Sequence, residues 1–175
     1  SRRFGVRFVM VAIVSIETFP LFYPTRGRFK FLETPDGQRT GRAAVLVKIT
    51  ADDGTVGWGE SIPVHTWCDE TLETATFTLR RYLAPALIDR DPFDIAGIHH
   101  AMNQSLKGGF TTGQPLCKAG VDIALHDLVC HAMQCSLAQY WGRSGLEEIP
   151  LSWTLNPATL DDLDRLIEEG LEKGY

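Results

Sequence analysis

Apolar positions change their rhythm twice along this chain, and the changes divide it. From Val11 to Tyr23 the run VAIVSIETFPLFY is rich in β-branched and aromatic residues and predicts a strand, with Pro20 at its edge or end. GRAAVLVKIT (41–50) predicts a second strand, ADDG (51–54) a tight turn and TVGWGES (55–61) a third strand, so the first sixty residues should form an antiparallel meander. The period then lengthens to that of a helix. DETLETATFTLRRYLAPAL (69–87) opens on Asp69 and Glu70 and carries Leu72, Ala75, Leu79 and Leu83 at helical spacing until Pro85 disturbs it. Two further helices are expected, in FDIAGIHHAMNQSL (93–106) and CKAGVDIALHDLVCHAMQCSL (117–137), the second with Ala119, Ile123, His126 and Val129 along one side. A short apolar strand, IPLSWTL (149–155), the break at Asn156-Pro157 and a helix in TLDDLDRLIEEGLEKGY (159–175) then read as strand followed by helix, the first half of a βαβ unit. Residues 1–10 are read as an upstream extension, 11–146 as one domain and 147–175 as the first βα unit of a second.

Composition narrows the function classes. With 175 residues, 44% of them hydrophobic, the chain can bury one sizeable core and part of another. Its net charge of −5 argues against a nucleic-acid backbone as partner. No apolar run approaches the ~20 residues of a membrane span. The start SRRFGVRFVMVAIV has a twin-arginine flavour, but its apolar stretch from Phe8 to Val14 is short and no small-residue cleavage site follows, so Met10 is the expected native start and a cytoplasmic location is expected. The four cysteines form no C-x-x-C pair and are read as reduced thiols. On a continuous helix Cys130 and Cys135 would stand roughly 140° apart, which disfavours a shared metal with His131.

Three stretches together resemble the mandelate racemase/muconate lactonizing family of the enolase superfamily: Gly57-Trp58-Gly59-Glu60, the helix from Ala119 to Leu128, and the strand from Ile149 to Thr154. The resemblance implies an α+β fold, an enolase-type N-terminal capping domain (a three-stranded antiparallel meander plus helices) followed by the first strand and helix of a truncated (β/α) barrel. A whole barrel takes about 250 residues. It further implies abstraction of a proton α to a carboxylate by a racemase, epimerase, cycloisomerase or acid-sugar dehydratase dependent on Mg²⁺. In the family, the lysine pair, the carboxylate Mg²⁺ ligands and the further general base lie downstream of the point matching Tyr175. Neither a catalytic residue nor a metal ligand is therefore expected in this chain, which should be inactive alone while the full-length form acts as a homo-oligomer. The stretch after Leu128, Val-Cys-His-Ala-Met-Gln-Cys, departs from the glycine and lysine usual in relatives. The competing reading is a non-catalytic binding or assembly module on the same fold.

Candidate substrate contacts follow from the loops. The loop from Tyr23 to Arg39 sets Arg26, Arg28 and Lys30 among aromatics; in the family the corresponding loop closes over substrate, and such cations suit a small-molecule carboxylate. The same residues also describe a solvated basic loop over packed aromatics. The family's second capping loop falls on Ser61 to Cys68, with His65 and Trp67, where His65 either orients substrate or is a surface histidine. Active sites gather at the carboxyl ends of barrel strands, which singles out Thr154 and Asn156. Gly57 and Gly59 are read as turn and packing residues. His99, His100 and His126 are read as structural, and Asp122 and Asp127, five apart on one helix, as anchors rather than an acid/base pair.

Overall fold

The computed structural model describes residues 11–25, 41–144 and 148–175. Strands β1 (Ile13–Pro24), β2 (Gly41–Ala51) and β3 (Val56–Ser61) form an antiparallel sheet in the order β1-β2-β3, as the alternation predicts. β1 runs on through Pro20, which pairs with Val45; as an edge strand it can spare the missing N–H. The turn between β2 and β3 closes where expected, with Gly54 at φ 86° and its N–H donating to Ala51 O at 3.0 Å.

Helix α1 (Leu72–Thr78), a π turn (Leu79–Leu83) and α2 (Ala84–Leu87) follow one another without a break. Proline at 85 has no N–H to give Arg81 and its ring crowds that carbonyl, so the chain widens by a residue and Ala84 N–H reaches back five to Leu79 O. α1 begins at Leu72, three residues after the expected opening at Asp69, because Thr71 and Thr74 cap it reciprocally. Helix α3 (Ile95–Ser105) is capped by Asp94, which accepts from Gly97 N–H at 2.9 Å, and the long α4 (Pro115–Met133) leads to the single turn α5 (Leu137–Tyr140).

One face of the sheet carries the core. Val45, Val47 and Ile49 of β2 meet Leu79, Leu83 and Leu87 from the first helical stretch and Val121, Ala124, Leu125 and Leu128 from α4, all with essentially no exposure. α4 does not bury the side expected of it: Ala119 and Ile123 face outward, His126 is half-buried, and of the four residues named only Val129 is buried. Apolar residues surround that helix on nearly every side, so periodicity alone could not choose its inner face.

What chooses it is β3. Gly57 and Gly59 alternate onto the core face of the strand, where an added Cβ at 57 would land on Ala124 O and Leu128 N, and one at 59 on Gly120 O and Ala124 N. The packing role expected of these glycines is the one seen: they let the helix backbone lie directly on the strand. Asp127 then locks the register by accepting from Trp58 N–H at 2.8 Å.

The C-terminal part differs from expectation in one element. Residues 149–155 form no strand, and helix α6 (Asp162–Glu172) follows them. A strand needs a neighbour for its N–H and C=O groups, and this segment adds to neither edge of the three-stranded sheet. It is held instead by Trp153, which lies against Gly170, donates from its indole Nε1 to Leu166 O at 2.9 Å and stacks on Tyr175.

Candidate functional site

The meander brings its two long connections to one end. Pro24 closes β1 opposite Gly41, which opens β2, and Ser61 closes β3 opposite Val45, so the 25–40 and 62–71 connections leave the same rim of the sheet. A tie spans that rim: Tyr23 Oη donates to Glu60 Oε1 at 3.4 Å, joining the last turns of β1 and β3 across the outer face. The sequence marks Glu60 only as the end of the Gly-Trp-Gly-Glu stretch, with nothing local to link it to Tyr23. Two strand ends thirty-seven positions apart meet only once β2 lies between them.

The second loop is compact. Trp67 and Cys68 both donate backbone N–H groups to Val64 O, at 2.8 and 2.9 Å, and this turn presents His65 and Trp67 to solvent at the rim, with Trp67 about 68% exposed. Arg26, Arg28 and Lys30 lie outside the described residues. Thr154 and Asn156 sit on the segment before α6, Thr154 exposed and Asn156 half-buried, so the structure brings Tyr23, Glu60, His65 and Trp67 to one rim without those two beside them on a strand.

Behind the loop sits a residue whose role the sequence did not reveal. Glu70 is 1% exposed, and its two carboxylate oxygens accept the N–H groups of Leu116 and Cys117 at 2.8 and 3.0 Å. Those are the orphan donors at the start of α4, where Gln114 supplies no side-chain cap. A carboxylate there also meets the positive end of the helix. Glu70 therefore pins the second loop to the helix that packs on β3. Burial, aided by the Glu70 hydrogen bond and charge, pushes the neighbouring Cys117 thiol far up, so it stays a neutral core group.

Two of the helix histidines tie elements together. His99 Nε2 lies 2.6 Å from Asp122 Oδ1, linking α3 to α4, and His126 Nδ1 lies 2.9 Å from Asp122 O while its ring meets Tyr140 and Trp141 edge-on. Asp122 and Asp127 serve different partners, as their spacing predicts. Among the described residues no group of three or more His, Cys, Asp or Glu side chains is gathered as a metal ion requires, and no helix is long and apolar enough to cross a membrane.

A three-stranded meander packed on helices, with both rim loops at one end, defines a capping domain of the enolase-superfamily type. The chain belongs to the mandelate racemase/muconate lactonizing enzyme family: the family's N-terminal domain matches residues 32–142. A chloromuconate cycloisomerase of Cupriavidus necator is 36% identical over 127 residues, which is 71% of this chain and 33% of that protein. An N-succinyl-L-Arg/Lys racemase of Bacillus cereus is 28% identical over 163 residues, 93% of this chain and 42% of the relative. The crystal structure of the Bacillus cereus racemase superposes with a TM-score of 0.81 at 27% identity over 94% of this chain. A dipeptide epimerase of Cytophaga hutchinsonii, solved with Mg and a dipeptide, shares the fold at a TM-score of 0.79 and 23% identity over 94% of this chain and 42% of its own. The chain thus spans about 33–42% of the length of these relatives.

Proposed function

We propose that this chain is the substrate-capping part of a Mg²⁺-dependent enzyme that abstracts a proton α to a carboxylate, its rim closing over the small carboxylate substrate. The observation that carries this reading is the Tyr23–Glu60 tie, which holds the roots of both loops at one rim. The names borne by similar proteins, of cycloisomerases, a racemase and an epimerase, support an isomerase as parent. In this reading residues 11–146 are the cap and 147–175 the start of the barrel. Mg²⁺, held by residues downstream, would supply positive charge where the carboxylate becomes more electron-rich. This chain's own part is binding and exclusion of water. Arg26, Arg28 and Lys30 pair with the substrate carboxylate, Tyr23 and Trp67 wall the cavity, His65 orients a polar group, and Thr154 and Asn156 approach from the barrel side. The parent is cytoplasmic and homo-oligomeric, and this fragment alone is inactive.

The test has two arms. Purified 175-residue chain should not exchange the α-proton of any candidate carboxylate with deuterated water, with or without Mg²⁺; exchange by the fragment overturns the division of labour. In the full-length parent, Arg26→Ala, Arg28→Ala and Lys30→Ala should between them expose one charge-assisted contact worth roughly 1.5–3 kcal/mol. That corresponds to about one to two decades in kcat/KM, chiefly in KM if the contact is equal in substrate and transition state. All three staying within about twofold would make the loop scaffolding. A non-catalytic binding or assembly module is the other reading, favoured if the reading frame does not continue past Tyr175 into a strand with lysines spaced by one residue.

A further inference from the structure

Helix α4 ends in a way that brings two cysteines together. Gln134 adopts the left-handed conformation, φ 52°, and turns the chain back on the helix. Gln134 N–H then donates to His131 O at 3.1 Å and Cys135 N–H to Cys130 O at 3.0 Å, the paired bonds of a Schellman motif. In that motif the residue two past the helix end contacts the residue in its last turn, usually as an apolar pair. Here both positions are cysteine. The continuous helix assumed from sequence would hold them on different faces, whereas the turn folds Cys135 back onto the last turn of the helix, where its N–H bonds to Cys130 O and both residues line one groove. Both open onto a groove of about 390 Å³ walled by Trp58, Trp141 and Leu137. Cys130 is 6% exposed and Cys135 half-buried.

From this geometry we infer that Cys130 and Cys135 are a site of reversible thiol oxidation, closing to an intrachain disulfide by exchange with a small-molecule disulfide. The more accessible Cys135 reacts first. Its thiol gives up a proton and the thiolate attacks one sulfur of the oxidant, whose S–S bond breaks and releases one thiolate. The Cys130 thiol then loses its proton, and its sulfur attacks Cys135 Sγ to form the intrachain bond and expel the second thiolate. Two cysteines lose two protons and two electrons, and the oxidant becomes two thiols. Burial, with the nearby Cys135 and Asp127, raises the Cys130 thiol and keeps it protonated, which agrees with the more exposed Cys135 reacting first. Cys117 is buried within the core, and Cys68 hydrogen-bonds to Val64 O and Glu70 O in the rim loop.

The experiment titrates the purified chain with glutathione and glutathione disulfide, quenches in acid, unfolds, alkylates and digests with trypsin. Cleavage after Lys118 and Arg143 puts both cysteines, and no other, in one peptide. That peptide should lose both alkylation sites and two hydrogens, while Cys68 and Cys117 still alkylate. Half-closure should need at least about tenfold less oxidant in folded protein than in urea, since the fold and not the sequence holds the thiols together. Cys135→Ser should leave Cys130 at least about tenfold slower to react, and Cys130→Ser should stall with glutathione on Cys135. A peptide that keeps two alkylated cysteines, a mixed disulfide on Cys135 that persists in the parent sequence, or equal closure in urea overturns the assignment.

Discussion

The β3–α4 interface and the segment from 148 to 175 both carry large apolar residues and meet opposite fates. In the first, Gly57 and Gly59 remove the side chains that would hold helix from strand, and Val121, Ala124, Leu125 and Leu128 lose essentially all exposure. In the second, Ile149, Leu151, Leu160 and Leu171 are each 66% exposed or more, and Trp153 is the large side chain that packs residues 149–155 against α6. An apolar side chain contributes about 25 cal/mol per Å² only when a surface exists to receive it. The cap has such a surface within its own sheet.

The comparison breaks hardest at the glycines. Gly59→Ala sets a Cβ against backbone atoms that no rotamer change can move aside, so we expect a loss of roughly 3 kcal/mol or more and a melting temperature lower by about 6–12 °C. Denaturant unfolding of that variant checks it, and a change within error would mean that the helix does not lie on the strand as described. Next comes Glu70→Ala, which leaves two buried N–H groups without partners and should cost roughly 2 to 3 kcal/mol. Glu70→Gln keeps one acceptor and should lose about half as much, a ratio that separates hydrogen bonding from mere packing.

The C-terminal segment should respond on a smaller scale and independently. Trp153→Ala removes the indole that packs on Gly170 and bonds to Leu166 O, and we expect roughly 1 to 2 kcal/mol of local stability lost from α6 with the main unfolding transition unmoved. An eleven-residue helix is marginal without such a contact, so its amides should exchange nearly as fast as a coil's. In the same experiment amides of Leu151 to Thr154 should exchange far faster than those of Val45 to Ile49. Strong protection there in a proven monomer would show that the segment already has a partner.

The smallest effect is one of pH. Lys173 Nζ donates to Glu169 Oε1 at 2.6 Å, and this bond with the lysine's charge holds the Glu169 carboxyl below its usual 4.5. A depressed acid contributes stability above its unfolded pKa and loses it as pH falls through the folded one. Both groups are at the surface, so the change should be slight: helical signal from α6 falls as pH drops below about 4.5, and Lys173→Ala flattens that dependence.

The sequence by itself determined the elements and their family. Alternation placed the three strands, helical spacing placed α3 within two residues and α4 within four, and the Gly-Trp-Gly-Glu stretch with the α4 motif pointed to the fold later matched over residues 32–142. Those signals are local, written in neighbours a few positions apart. Tertiary structure decided the rest: that α4 buries Val121 and Leu125 rather than Ala119 and Ile123, that Glu70 turns inward to cap a helix forty-six positions away, and that Tyr23 meets Glu60. It also decided that residues 149–155 form no strand here and that Cys130 meets Cys135 around a left-handed Gln134. In each case the deciding partner is distant in sequence or depends on one backbone dihedral, and periodicity carries information about neither.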